Sequence, residues 1–255
     1  MITLKTREEI EKMRAAGRVV AVTLAQVTAS IIPGKTTTQD LDTLAESLIR
    51  QHGAVPSFKG YKGYPKSTCI AVNEEVVHGI PGSRVLREGD IVGIDLGAIL
   101  HGWHGDAAIT VPVGRVCEKA KQLLETTRNA LYAGIRQARP GNHLTDISYA
   151  IQEYVESRGF SVVRDLVGHG IGRDMHEEPQ VPNFGRPGRG PRLEVGMTLA
   201  IEPMVNVGGF QVETQRDGWT IVTKDRSLSA HFEHTVAIAE TGPDILTLLP
   251  GESIF

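Results

Sequence analysis

The 255-residue chain is poor in cysteine and in aromatic rings: Cys69 and Cys117 are its two thiols, and Phe, Trp and Tyr together make up 5 %. Two thiols cannot build a disulfide framework, which excludes the small staple-held secreted folds and fits a reducing, cytoplasmic compartment. No apolar run reaches the ~18 residues of a membrane span. The opening MITLKTREEIEKMR is charged from Lys5 onward and holds no secretory apolar core. Charge of one sign is not in excess either, because 27 Lys and Arg against 30 Asp and Glu leave a net −3. That balance gives no general attraction to nucleic acid or to an anionic membrane. One local exception is the Gly/Pro/Arg stretch GRPGRGPR at 185–192. It reads as a loop, with a phosphate-contacting or ribosome-facing loop as the alternative.

The most informative absence is local. No Lys or Arg occurs from Gly89 through Val113, from Gly196 through Glu213, or from Leu228 through Ala239. These are the segments in which Asp95, Asp106, Glu202 and Glu233 lie within apolar, strand-like runs. An unpaired buried carboxylate costs about several kcal/mol or more. Ion pairing would therefore have to import every cation from elsewhere in the chain.

Two of the acids share a frame. Leu86, Gly89 and Asp95 in LREGDIVGID recur 107 positions later as Leu193, Gly196 and Glu202 in LEVGMTLAIE. Strand alternation places Asp95 with Gly93 and Gly97 on one face, opposite Val92, Ile94 and Leu96. Pro203 restricts Glu202 to extended backbone. A hairpin centred on Leu100-His101 is expected to set Asp95 directly opposite Asp106, a like-charge pair that needs a cation between its members. The return strand HFEHTVAIA carries Glu233 where DAAITV carries Asp106. The second hairpin is the longer, since Glu233 follows Glu202 by 31 positions and Asp106 follows Asp95 by 11. Four carboxylates neutralise two divalent ions, the arrangement of carboxylate-bridged dinuclear sites. His169, set between glycines in VGHGIGRDMHEEP, is the best nitrogen donor for such a site. One imidazole among mostly oxygen donors suits Mn²⁺, Fe²⁺ or Co²⁺, with Zn²⁺ also open.

The frame extends beyond the acids. Thr6 and Glu9 form a capping box before an apolar stripe of Ile10, Met13, Gly17, Val20, Leu24, Val27 and Ile31, stopped by Pro33-Gly34. Thr38 then caps a second helix with Leu41, Leu44 and Leu48 inside, closed by Gly53. A later pair begins near Glu118, carries Leu123, Leu124, Leu131 and Ile135, and breaks at Pro140-Gly141. It continues through Thr145, Ile151 and Val155 to Gly159. Pro33 to Pro140, Thr38 to Thr145 and Leu48 to Val155 are each 107 positions apart. An internal duplication follows. The expected architecture is α/β (α+β): one domain over 1–255, with helix-helix-strand halves of about 6–113 and 114–239 around a cleft.

These residues in these frames resemble the methionine aminopeptidases, dinuclear metallopeptidases of the pita-bread fold. The segments that carry the resemblance are NEEVVHGIP (73–81), GDIVGIDLGA (89–98), HGD (104–106), GHGIG (168–172), MHEEP (175–179), IEP (201–203), DGWT (217–220) and FEHT (232–235). The resemblance implies two pseudo-symmetric halves around a central antiparallel sheet. It also implies that Asp95, Asp106, His169, Glu202 and Glu233 hold two divalent ions (Co, Mn, Fe(II), Zn or Ni), with Asp106 and Glu233 bridging.

His78 and His176 match the family's substrate-contacting histidines, and Glu202 its proton shuttle. The methionine pocket maps to Phe58, Tyr61, Tyr64, Cys69, Met175 and Trp219. Phe58 stands where some members have cysteine, and Met175 where an aromatic residue is common. The 31-position spacing from Glu202 to Glu233 leaves no room for the inserted helical subdomain of the type II form, so the resemblance is to type I. What it implies is a cytoplasmic monomer that removes initiator methionine from nascent chains with a small, uncharged second residue. Transient ribosome contact is the one further partner expected. No specific nucleic acid and no membrane are expected.

Overall fold

The computed structural model describes residues 1–249 and 251–252. Four long helices, α1 (Arg7–Ala29), α2 (Thr38–Gln51), α3 (Glu118–Gln137) and α4 (Leu144–Glu156), pack outside antiparallel sheets. Among the described residues no helix is long and apolar enough to cross a membrane.

α1 starts at the expected capping box, with Thr6 accepting from Glu9 N and the Glu9 carboxylate accepting from Thr6 N. Met13, Ala16, Gly17, Val20, Leu24 and Val27 are buried, whereas Ile31 lies past the C-terminal end. A Cβ on Gly17 would stand 2.3 Å from the Leu246 carbonyl oxygen, and one on Gly105 would stand 2.6 Å from Gly17 N. This pair of bare backbones lets α1 lie directly on the strand that carries Asp106.

Strand Ile91–Leu100 pairs along its whole length with Trp103–Pro112. Its Val92, Ile94, Leu96 and Ala98 face α1 and α2 in one core cluster, as the alternation requires. The turn is His101-Gly102, both residues with positive φ (53° and 78°). This corrects the expected register: Asp95 faces Ala108, and Asp106 faces Gly97. The two acids are diagonal neighbours on one face rather than a directly opposed pair. A slip of two positions preserves alternation, so hydrophobic pattern alone does not detect it.

The second half packs α3 and α4 on strands Thr198–Ile201 and His234–Ala239, with Leu123, Leu131, Ile147, Ile151, Leu199, Ile201, Val236 and Ile238 in one core. Gly34 N donates to Leu86 O (2.7 Å), and 107 positions on Gly141 N donates to Leu193 O (2.9 Å). The cap of the second helix is one residue earlier than expected. Thr37 is the N-cap of α2 and His143 that of α4, each with its backbone N–H held by the aspartate three residues on, Asp40 (2.8 Å) or Asp146 (2.7 Å). The spacing there is 106 rather than 107. On that spacing Thr38, Leu41, Asp42, Ala45 and Ile49 match Leu144, Ile147, Ser148, Ile151 and Val155, and all ten are buried.

The two sheets meet through Ala108 and Glu233, whose backbones exchange N–H···O contacts of 3.4 and 2.9 Å. Two side-chain-bearing rows result. One runs Asp95, Ala108, Glu233. The next runs Gly97, Asp106, Thr235, Ala200, His169. Its middle link is Thr235 Oγ1, which accepts from Asp106 N (3.0 Å) and donates to Asp106 O (2.8 Å).

Candidate metal and substrate site

Sheet geometry brings the five expected ligands together. Asp95, Asp106, His169, Glu202 and Glu233 all line one cavity of about 310 Å³. One donor atom each from Asp106, His169 and Glu233 lies within 4.8 Å of the others, and all three residues are buried. Ile201 faces His234 and Met204 faces His231, so the interrupted ladder between them sets Glu202 across from Glu233. Glu202 Oε1 lies 3.6 Å from His169 Nε2.

Elementary electrostatics makes this cluster unstable by itself. Burial, then the neighbouring carboxylates, push Asp95, Asp106 and Glu233 well above the ordinary carboxylate range. Asp95 Oδ1, Asp106 Oδ1 and Glu233 Oε1 are buried without a hydrogen-bond partner. No ion pair with Lys or Arg reaches any of the four acids among the described residues. His169 Nδ1 donates to Gly170 O (2.9 Å), which orients the ring so that Nε2 faces the acids. Orphaned carboxylate oxygens around one free imidazole nitrogen fit divalent cations as the missing positive charge. The strand Val167–Gly170 reaches this depth through bare backbone: Cβ atoms on Gly168 and Gly170 would stand 2.3 and 2.1 Å from the carbonyl oxygens of Ala200 and Glu178.

The expected methionine-pocket residues also converge. Phe58, Tyr64, Cys69 and Met175 form one buried cluster, with Tyr61, Trp219 and Ile80 against it. Tyr64 and Trp219 meet edge to face at 5.1 Å between centroids. Cys69 pairs across the sheet with Asp95, so the pocket floor adjoins the acids.

His78 and His176 line the same cavity. His78 sits at φ 59°, and burial lowers the pKa of its ring. His176 stacks on Tyr61 and lies 4.1 Å from the His169 ring, centroid to centroid. Its Nδ1 is 2.9 Å from the Tyr61 hydroxyl, which leaves Nε2 for the cavity. Burial first, then His169, bring its pKa down to about 4, so the ring is neutral at neutral pH.

Sequence reasoning missed two residues here. His231 is buried with Nε2 unpartnered, 3.5 Å from Glu202 Oε2. The strand Ser229–His231 ends before Glu233, and a lone histidine at a strand end carries no periodic signal. Ile80 packs against the pocket cluster from a loop, where no periodicity marks it.

Metallopeptidase family M24 matches residues 11–240 of the chain. A methionine aminopeptidase of Clostridium acetobutylicum is 57 % identical over 249 residues, spanning 97 % of this chain and 99 % of that one. A crystal structure of methionine aminopeptidase from Thermotoga maritima superimposes with a TM-score of 0.95 at 52 % identity, covering 97 % of this chain and all of the other. The prolidase of Pyrococcus furiosus superimposes less closely, with a TM-score of 0.77 at 25 % identity over 65 % of its length.

Proposed function

The chain belongs to metallopeptidase family M24, and on that basis we propose how its residues act. It is a hydrolase, a metalloexopeptidase that removes methionine from the amino-terminal end of polypeptides. Asp95, Asp106, His169, Glu202 and Glu233 would hold two divalent ions. When bound, such ions neutralise the carboxylates and supply Lewis acidity for amide hydrolysis.

The side chains divide the remaining work. The cluster of Phe58, Tyr64, Cys69 and Met175, with Tyr61 and Trp219, receives the unbranched methionine side chain. Glu202 takes the proton of the attacking water and returns it to the leaving amine, and its position at 3.6 Å from His169 puts it at the edge of the ligand set. His176, with Nδ1 on Tyr61, presents Nε2–H to the oxygen on which charge develops. His78 contacts the scissile amide.

Small, uncharged second residues are preferred, and the enzyme works as a cytoplasmic monomer on nascent chains. The observation that carries the reading is the set of buried carboxylate oxygens without partners. Asp106→Asn and Glu202→Gln are each expected to lower turnover of a Met-Ala peptide by roughly 10²-fold or more, and exhaustive chelation to abolish it. Full methionine release after either change rejects the assignment. Release of alanine from Ala-Pro peptides in preference to methionine would point to the prolidase-like reading instead.

A further inference from the structure

The loop SFKGYKGYPK carries three lysines that fare differently. Lys59 pairs with Glu46 at 2.7 Å, and Lys66 donates to the Gln39 side-chain oxygen. Lys62 has no hydrogen bond or ion pair among the described residues; its Nζ lies only over the Tyr61 ring, 5.3 Å from the centroid. It is exposed, yet it lines the cavity that holds the five candidate ligands, and among the described residues no other Lys or Arg does so.

Its placement is built rather than incidental. Lys62 has φ 48° and ψ 25°, inside a single turn of 3₁₀ helix, Tyr61–Gly63. A left-handed backbone at a long, non-glycine side chain is uncommon and is held here against its own preference. Gly60 and Gly63, both at φ 88°, flank it. The turn closes through Tyr61 N to Phe58 O (2.9 Å), Gly63 N to Gly60 O (3.2 Å) and Tyr64 N to Tyr61 O (2.9 Å). The same turn contributes Phe58 and Tyr64 to the buried pocket and Tyr61 to His176. The cation is thereby fixed to the element that grips the first residue and orients His176, at the solvent side of the cavity.

A substrate whose methionine fills the pocket must run its remaining chain out through that open side. We propose that Lys62 is a specificity residue that recognises a carboxylate on the substrate beyond the second residue. The acceptor is either an acidic third side chain or the terminal carboxylate of a tripeptide. This deepens the aminopeptidase reading of the site and rests on it. Asp165, an exposed acid on the same cavity, would give the opposite preference if it dominated.

The test compares kcat/KM for methionine release by the metal-loaded enzyme from Met-Ala-Glu-NH₂, Met-Ala-Gln-NH₂ and Met-Ala-Lys-NH₂. Met-Ala-Ala as free acid and as amide is assayed alongside. The wild type is expected to favour the acidic over the basic peptide by about threefold or more, as an exposed ion pair allows, with the ratio falling as salt is raised. A ratio above one within the free-acid and amide pair alone assigns the terminal carboxylate as the source, and one within the amidated series assigns the side chain. Lys62→Gln is expected to bring the ratios toward one, and Lys62→Glu to invert them.

Ratios of one in the wild type, a preference for the lysine peptide, or ratios unmoved by Lys62→Glu overturn the proposal. If Lys62→Glu fails to fold, the wild-type ratios and their salt dependence decide alone. No methionine release from any peptide, the neutral ones included, would instead reject the aminopeptidase reading.

Discussion

At Asp95, Asp106 and Glu233 the protein holds three carboxylates in a state that water alone would not tolerate. Their folded-state pKa values are raised by burial and mutual repulsion. Groups raised in this way favour the folded state at pH below their unfolded values, near 4, and lose that contribution as pH climbs through the folded values. The metal-free protein is therefore expected to lose stability through these groups as pH rises above about 4. Divalent metal should remove that dependence and raise Tm by mass action. Thermal melts across pH, with and without Mn²⁺, check both points; identical slopes in the two series would contradict the electrostatic account. The acids were legible in the sequence because apolar alternation and missing bases isolate them. His231 was not singled out, since one buried histidine carries no periodic signal of its own.

At the scale of elements, the segment ahead of α1 is tied to the loop that carries Met175 and His176. Lys5 Nζ meets Glu177 Oε2 at 2.5 Å, with the two side chains 2 % and 15 % exposed. Glu177 Oε1 accepts from Arg173 N (2.9 Å) and Asp174 N (3.3 Å). Removing one partner leaves a buried charge, so Lys5→Ala is expected to cost about 3–5 kcal/mol. The double change Lys5→Met with Glu177→Gln should cost less, and urea unfolding of both variants checks the order. At the crossing of α1 with the Asp106 strand, Gly105→Ala forces a Cβ to 2.6 Å from Gly17 N. A loss of about 1–3 kcal/mol is expected, read from the same unfolding curves.

Elements themselves were readable from caps and stripes, but their joints were not. The hairpin register moved because a two-position slip keeps every side chain on its face. The α4 cap moved because Leu48 and Ile49 are both buried, so either one aligns with Val155.

Over the whole molecule, we propose that the halves descend from one duplicated unit. The Gly34–Leu86 and Gly141–Leu193 hydrogen bonds and the matched buried faces of α2 and α4 support this. In that account Asp95 and Glu202 are one position repeated, as are Asp106 and Glu233, and the reciprocal pairs Ala108–Glu233 and Asp106–Thr235 exchange with each other across the centre. His169 stands outside the symmetry, which is why its glycine setting rather than the repeat revealed it. We propose that Asp95, Asp106, His169, Glu202 and Glu233 together hold two divalent ions. Titration of chelator-stripped protein with Co²⁺, followed by calorimetry, counts them. Two ions are expected to bind per wild-type chain, with a lower stoichiometry in Asp106→Asn/Glu233→Gln. Undiminished binding by the double variant, or none by the wild type, would contradict it.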